Sequence, residues 1–120
     1  MAVPQGGDVS PAEHIADLDA ALREDGEDIV LRRMTHVGTI STPSDRPGIR
    51  AHVRGYRPDE LVGNIAQGDR QVILSPSGLG GDLPIRGDSV VIDGRGCYIQ
   101  AAAMLRVGGV VVRIELQVRG

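Results

Sequence analysis

97-CYIQAAAMLRVGGVVVRIELQVR-119 reads as two strands joined by a tight turn. In its second half, Val110, Val112, Ile114, Leu116 and Val118 alternate with Arg113, Glu115, Gln117 and Arg119. Successive strand side chains point to opposite faces, so this pattern marks a half-buried strand with the aliphatic set inward. Residues 97–107 alternate likewise, which puts Cys97, Ile99, Ala101, Ala103, Leu105 and Val107 on one face. Gly108-Gly109 supplies the positive φ that a two-residue hairpin turn needs. Just upstream, 88-DSVVID-93 is a strand and 93-DGRG-96 a turn. Three strands joined by short turns form an antiparallel meander.

Further out, residues 71–74 (QVIL) form a short strand, and residues 58–70 a helical turn with a connector. Residues 49–57 alternate, with Ile49, Ala51, Val53 and Gly55 opposite Arg50, His52, Arg54 and Tyr56. Residues 27–35 are also strand-like. The stretch 36–48 (HVGTISTPSDRPG), rich in Gly, Pro, Ser and Thr, reads as a long loop or hairpin tip, and 75–87 (SPSGLGGDLPIRG) as a second, flexible loop. At the front, Ser10 can cap a helix, Pro11 suits its first turn, and Glu13 completes a capping box. Ile15, Leu18 and Leu22 follow as one apolar stripe, and Gly26 is a stop, so residues 11–25 read as an amphipathic helix. Residues 1–9 are expected to be a flexible leader. The expected fold is mainly β (α+β): one domain, residues 10–120, built as a small, partly open antiparallel β-barrel or sandwich of about six strands, with one N-terminal helix and long loops.

The 120 residues include no Trp and no Phe, and Tyr56 and Tyr98 are the only aromatics. Aromatic rings normally dominate core energetics, so the core here is thin and aliphatic. Burial against neighbours can complete such a core, which favours an oligomer. Positive charge comes entirely from 13 arginines. Residues 1–28 carry eight carboxylates and one arginine, whereas residues 29–120 carry eight carboxylates and twelve arginines. The acidic head and mildly basic body lack the strongly basic footprint of a dedicated nucleic-acid binder. Cys97 is the only cysteine, so no internal disulfide can form, and a reducing cytoplasm is the expected place of synthesis. No secretory signal is expected, and no apolar run reaches the length of a membrane span.

Chemistry-bearing patterns are sparse. His14, His36 and His52 show no ligand spacing, and Cys97 has no zinc-site partner and falls on an inward face. The 78-GLGG-81 cluster lacks the following Lys-Ser/Thr of a phosphate loop. Arg86-Gly87-Asp88 reads as a turn. No catalytic, cofactor-binding or metal site is expected, and an enzyme is disfavoured. Two sets of residues are candidates for binding. Arg46, Arg50, His52, Arg54 and Arg57 could present a positive stripe that tracks DNA phosphates in a channel without reading sequence. Asp17, Asp19, Glu24 and Asp25 could dock the acidic helix on a partner's arginines.

The phrases 21-ALREDGEDIVLRR-33, 87-GDSVVIDGRGCYIQ-100 and 110-VVVRIELQVRG-120, taken in this order, resemble the head–tail connector proteins of tailed phages, of the head-closure, stopper or head–tail joining type. The resemblance covers the chain from about Asp8 onward and rests on element order, size and these phrases. It implies a homo-oligomeric ring, six- or twelve-fold, made in the bacterial cytoplasm and built into the neck of the virion. Portal or adaptor proteins would lie above it and tail-tube or terminator proteins below. Double-stranded DNA would pass through without sequence-specific contact, with no cofactor and no membrane. The resemblance also implies a small barrel whose loops reach the channel or neighbouring subunits, with 36–48 and 75–87 as candidates by position. Tail terminators and other neck ring proteins share this build, and a small β-barrel adaptor that binds nucleic acid or protein is the alternative from another class.

Overall fold

The structure, a computed structural model, describes residues 9–120, so the expected leader falls, but for Val9, outside the described residues. Helix α1 spans Pro11–Asp25, and six strands follow: β1 Glu27–Val37, β2 Ile40–Gly55, β3 Arg70–Leu74, β4 Ser89–Ile92, β5 Arg95–Val107 and β6 Val110–Arg119. A single 3-10 turn, Pro58–Glu60, lies between β2 and β3. The strands form a barrel in the order β1-β2-β3-β6-β5-β4, and each neighbouring pair is antiparallel. Pairing of Val30–Arg32 with β4 joins the two ends, so the barrel is closed rather than partly open.

The interior follows from the alternation. Ile29, Leu31, Ala51, Val72, Leu74, Val90, Ile92, Cys97, Ile99, Ile114, Leu116 and Val118 pack into one aliphatic cluster. The meander forms as the pattern predicts, with left-handed backbone at Asp93, Gly94, Gly108 and Gly109 in its turns. Its phase changes twice. Ile99 pairs with Val118 but Ala101 with Gln117, so Gln100 is an extra, bulged residue. A bulge moves later side chains to the other face. Ala102 and Met104 therefore pack on the core, and the expected inward residues Ala101, Ala103 and Leu105 are exposed. A second irregularity leaves Val112 without a partner between Arg113 and Val111. Val111 takes the core position, while Val112 is buried outside the barrel cluster and lines a cleft with Leu18 and Ala21.

Helix α1 is capped as expected, with the Glu13 amide donating to Ser10 Oγ at 3.2 Å. It lies on the outside of the barrel against β6 and β2 and buries Leu22. Gly26 ends it where no other residue fits, because a Cβ there would collide with the carbonyl oxygens of Leu22 and Ala51.

Of the two readings of 36–48, the hairpin tip is the one formed: β1 continues to Val37, turns at Gly38-Thr39, and returns as β2 from Ile40. β4 covers β1 only at 30–32, and β3 covers β2 only at 51–55. Beyond Arg32, β1 and its partner stretch of β2, residues 40–45, therefore form a two-stranded ribbon projecting from the barrel, with both outer edges unpaired among the described residues. A strand with a free edge accepts prolines without losing ladder bonds, which explains Pro43 and Pro47 in β2. Pro47 and left-handed Gly48 together oppose Val30, forming a bulge where the ribbon leaves the barrel. The distal halves of β5 and β6 form a second ribbon. β1 and β5 are each antiparallel to β4, so both ribbons leave the same end. They lengthen the molecule to 60 × 36 × 26 Å.

Residues 75–87 fold back between the ribbons rather than projecting. Leu79 and Pro84 are buried and Leu83 packs on the core, so this segment plugs the barrel end. Reverse turns hold it, with Leu79 N donating to Pro76 O at 3.3 Å and Asp82 N to Leu79 O at 3.1 Å.

Candidate functional site

The five residues of the expected positive stripe lie on or just beyond β2, but they do not form a free row of charge. Arg50 reaches the exit of α1. Its guanidinium donates to the carbonyls of Leu22 (3.2 Å), Arg23 (3.2 Å) and Gly26 (2.7 Å), and to Asp28 at 3.2 Å. The last carbonyls of a helix lack intrahelical partners and carry partial negative charge, so a cation there satisfies both needs. Arg54 is equally committed. It donates to Gln71 at 2.9 Å, pairs through two nitrogens with Glu60 at 2.9 Å each, and lies 5.7 Å from the Tyr56 ring centroid. That ion pair, with the Arg57 amide at 2.7 Å, holds the Glu60 carboxyl down to about 2. Arg46 donates to the Asp82 carbonyl at 2.6 Å. His52 is exposed beside Leu18, Ala21 and Ile73 at the edge of α1. Arg57 is the most open of the arginines, with a side chain 72 % exposed and only long contacts, 3.6 and 3.7 Å, to Asp59 and Glu60. The outward face that the alternation predicts is present, but most of its cations are already bound to the chain.

The acidic candidates divide similarly. Asp17, Glu24 and Asp25 are exposed, whereas Asp19 is half-buried and accepts from Ser77 Oγ at 2.8 Å. α1 thus keeps an acidic outer face and ties one carboxylate to the plug.

Two polar networks escape the sequence reading because their members lie far apart in the chain. At the ribbon end, Arg33 grips the plug. It pairs with Asp88 at 2.9 Å and with Asp82 at 2.7 Å, and donates to Leu83 O at 3.1 Å. These contacts lower the Asp82 carboxyl and raise the Arg33 guanidinium further. Asp88 also accepts from the Ile85 amide at 3.1 Å, so one carboxylate shapes the turn and receives the arginine. At the opposite end, Asp69 is buried and accepts from Arg119 at 2.8 and 2.9 Å, Gln117 at 2.8 Å and the Ala66 amide at 2.9 Å. Arg119 is the main reason that the Asp69 carboxyl sits well below its ordinary range, against the opposing effect of burial.

The remaining reactive side chains are placed without a common centre. Cys97 is buried and accepts from Arg70 at 3.3 Å. His36 Nδ1 lies 2.7 Å from Ser41 Oγ on the first ribbon, and His14 is on α1. Among the described residues, no group of three His, Cys, Asp or Glu side chains could hold a metal ion.

Exposed large apolar side chains lie on the ribbons and elsewhere, with Val62 beside the Asp69 end at 66 % and Tyr98 on the barrel wall at 63 %. Val37 and Ile40 flank the first turn at 71 % and 67 % exposure, and Leu105 and Val110 are exposed on the second ribbon. Between α1 and the second ribbon lies an open cleft of about 480 Å³, lined by Leu18, Ala21, Leu105, Val107 and Val112 with His14, Asp17, Arg106 and Arg113 at its edges. Comparison of the chain with protein-family models, with curated protein sequences and with solved structures returned no match.

Proposed function

We propose that the chain is a structural subunit of a tailed-phage neck: a ring-forming head–tail connector of the head-closure or stopper type, acting by position and not by catalysis. The observation that carries this reading is the pair of β-ribbons standing at one end of a closed barrel, with exposed aliphatic side chains and unpaired strand edges. Apolar residues on a projecting ribbon are unfavourable on a free subunit and gain burial in an assembly. The resemblance to head–tail connectors in the phrases around Arg33, Asp88 and Ile114 gives that assembly its setting. Portal or adaptor proteins bind one side, tail-tube or terminator proteins the other, and duplex DNA passes through the ring.

The charge arrangement supports the same reading. Each phosphate neutralised by a free Arg adds salt-dependent affinity, and a lining that gripped DNA would retard ejection. In this chain Arg33, Arg46, Arg50 and Arg54 are satisfied internally, so they stiffen the wall instead of holding phosphate. Arg57 remains as a weak phosphate contact.

The test is assembly of the chain with portal and adaptor proteins of a tailed phage, examined by negative-stain microscopy. Rings seated on the portal vertex are expected. A chain that ignores the portal and binds a defined oligonucleotide with sequence preference would instead be a small nucleic-acid-binding adaptor.

A further inference from the structure

We infer that helix α1 is a detachable strap: it leaves the barrel and unravels as one unit up to Gly26, while the six strands stay folded. The inference concerns the single chain and goes beyond the assembly proposed above. The barrel is complete without α1. Its aliphatic cluster, and the half-buried side chains packed on that cluster, include no residue of the helix. Leu22, in the last turn, is the one side chain that α1 buries. Ile15 and Leu18 are only half-buried. The cleft of about 480 Å³ opens beside Leu18 and Ala21, and a second opening of about 350 Å³ is lined by Ile15, Leu83, Val110 and Val111. An apolar side chain facing a gap lacks partner atoms there and forfeits those contacts.

The tethers of α1 are concentrated at the same end. Arg50 binds the carbonyls of Leu22, Arg23 and Gly26, and Gly26 fits against the carbonyl oxygens of Leu22 and Ala51 where no Cβ could. Further back, Ser77 donates to Asp19. Among the described residues, no side chain of residues 11–18 hydrogen-bonds to the barrel. The first half of the helix therefore rests on the barrel by partial apolar contact alone.

Once off the barrel, the helix has little to hold it. Helices in proteins owe most of their stability to packing, and one of 15 residues is marginal alone in water. Glu13 and Asp17 stand one turn apart and repel. Glu24 and Asp25 lie at the end where the backbone dipole disfavours anions, and Arg50, which offsets them, stays behind on β2. Leaving and unravelling are therefore one event. It uncovers Val112, which is buried outside the barrel cluster, and Ile73, which lines a recess with Leu18, Ala21 and Leu22. Cys97, inside the barrel cluster, stays covered. Segments with few buried apolar contacts are the ones that open below the global level.

Hydrogen exchange of the dilute wild-type chain, read on peptides by mass spectrometry, compares α1 with β3 and β6. Corrected for intrinsic rates, α1 amides are expected to exchange about 100-fold faster than those of the two strands. A Val112→Cys chain adds a second readout, with the native Cys97 as its internal reference. Without denaturant, a thiol reagent is expected to modify position 112 about 100-fold faster than Cys97, with the strand circular dichroism signal unchanged. Equal protection of α1 and β6, or reaction of the two thiols at one rate, means that helix and barrel open together and overturns the inference. Fast reaction at position 112 with α1 as protected as β6 overturns it too, because the reagent then enters through the cleft. No arm of the experiment uses a portal, so the neck reading stands or falls separately.

Discussion

The two ends of the barrel solve opposite problems. The end holding Asp69 is closed upon itself: one buried carboxylate collects Arg119, Gln117 and the Ala66 amide, and Arg119 and Gln117 also bind the Asn64 carbonyl. Its polar atoms are satisfied within the chain. The ribbon end is also polar inside, where Arg33 and Arg46 clasp the plug, but its outer surface offers Val37, Ile40 and bare strand edges. Bare apolar edges are what natural sheets ordinarily hide. In the proposed assembly the ribbon end is the one that partners cover.

Breaking the barrel itself should have the largest effect and should not discriminate between the ends. Leu116 is fully buried in β6, and Leu116→Asp places an unpaired carboxylate among aliphatic side chains. A loss of about 3–5 kcal/mol is expected, enough to unfold so thin a core, seen as loss of cooperative thermal melting. Asp69→Ala comes next. It strands Arg119 and Gln117 beside the Asn64 carbonyl, and a loss of about 3 kcal/mol is expected in urea titration. Arg50→Ala removes the cation from the α1 exit and should lower stability by about 1–3 kcal/mol, with helix signal lost before strand signal. By contrast, Val37→Ser with Ile40→Ser should change stability by no more than about 0.5 kcal/mol, because exposed side chains contribute little to the monomer fold. Equal destabilisation by the tip and the Asp69 substitutions would erase the contrast between the two ends.

Acid sharpens the contrast. Glu60 and Asp69 both have carboxyl values depressed in the fold, to about 2 for Glu60 and further for Asp69. Their contribution is present above the ordinary carboxylate range and is lost as pH falls through the depressed values. Urea midpoints should therefore fall as pH is lowered from about 4.5 toward 2, and Glu60→Gln should flatten the upper part of that fall.

Much of this was legible in the chain, for local reasons. The meander could be read because apolar residues alternate on 110–118 and Gly108-Gly109 dictates its turn. The helix could be read because Ser10, Pro11 and Glu13 form its start. Gln100 and Val112 shift the phase without changing the residue types, so strict alternation misplaced Ala101, Ala103, Leu105 and Val112. Pro43 and Pro47 kept a loop open beside the hairpin tip at 36–48, since free edges are a property of the assembled sheet and not of the segment. Leu79 and Pro84 sit among glycines in 75–87, and nothing local says that they plug a barrel. The arginine stripe was found on the right face of β2, but its partners Leu22, Glu60 and Asp82 come from other elements, so its neutralisation was invisible. Asp69 and Arg33 gave no signal because their partners lie about fifty residues away.

The central claim is that the unfinished ribbon end exists to join copies of this chain. Light scattering on the purified protein across a dilution series tests it most directly. A single closed assembly of fixed mass is predicted, falling to the monomer in the Val37→Asp/Ile40→Asp chain while its melting stays cooperative. A wild-type protein that remains a stable monomer throughout, ribbon tips bare in solution, would contradict it.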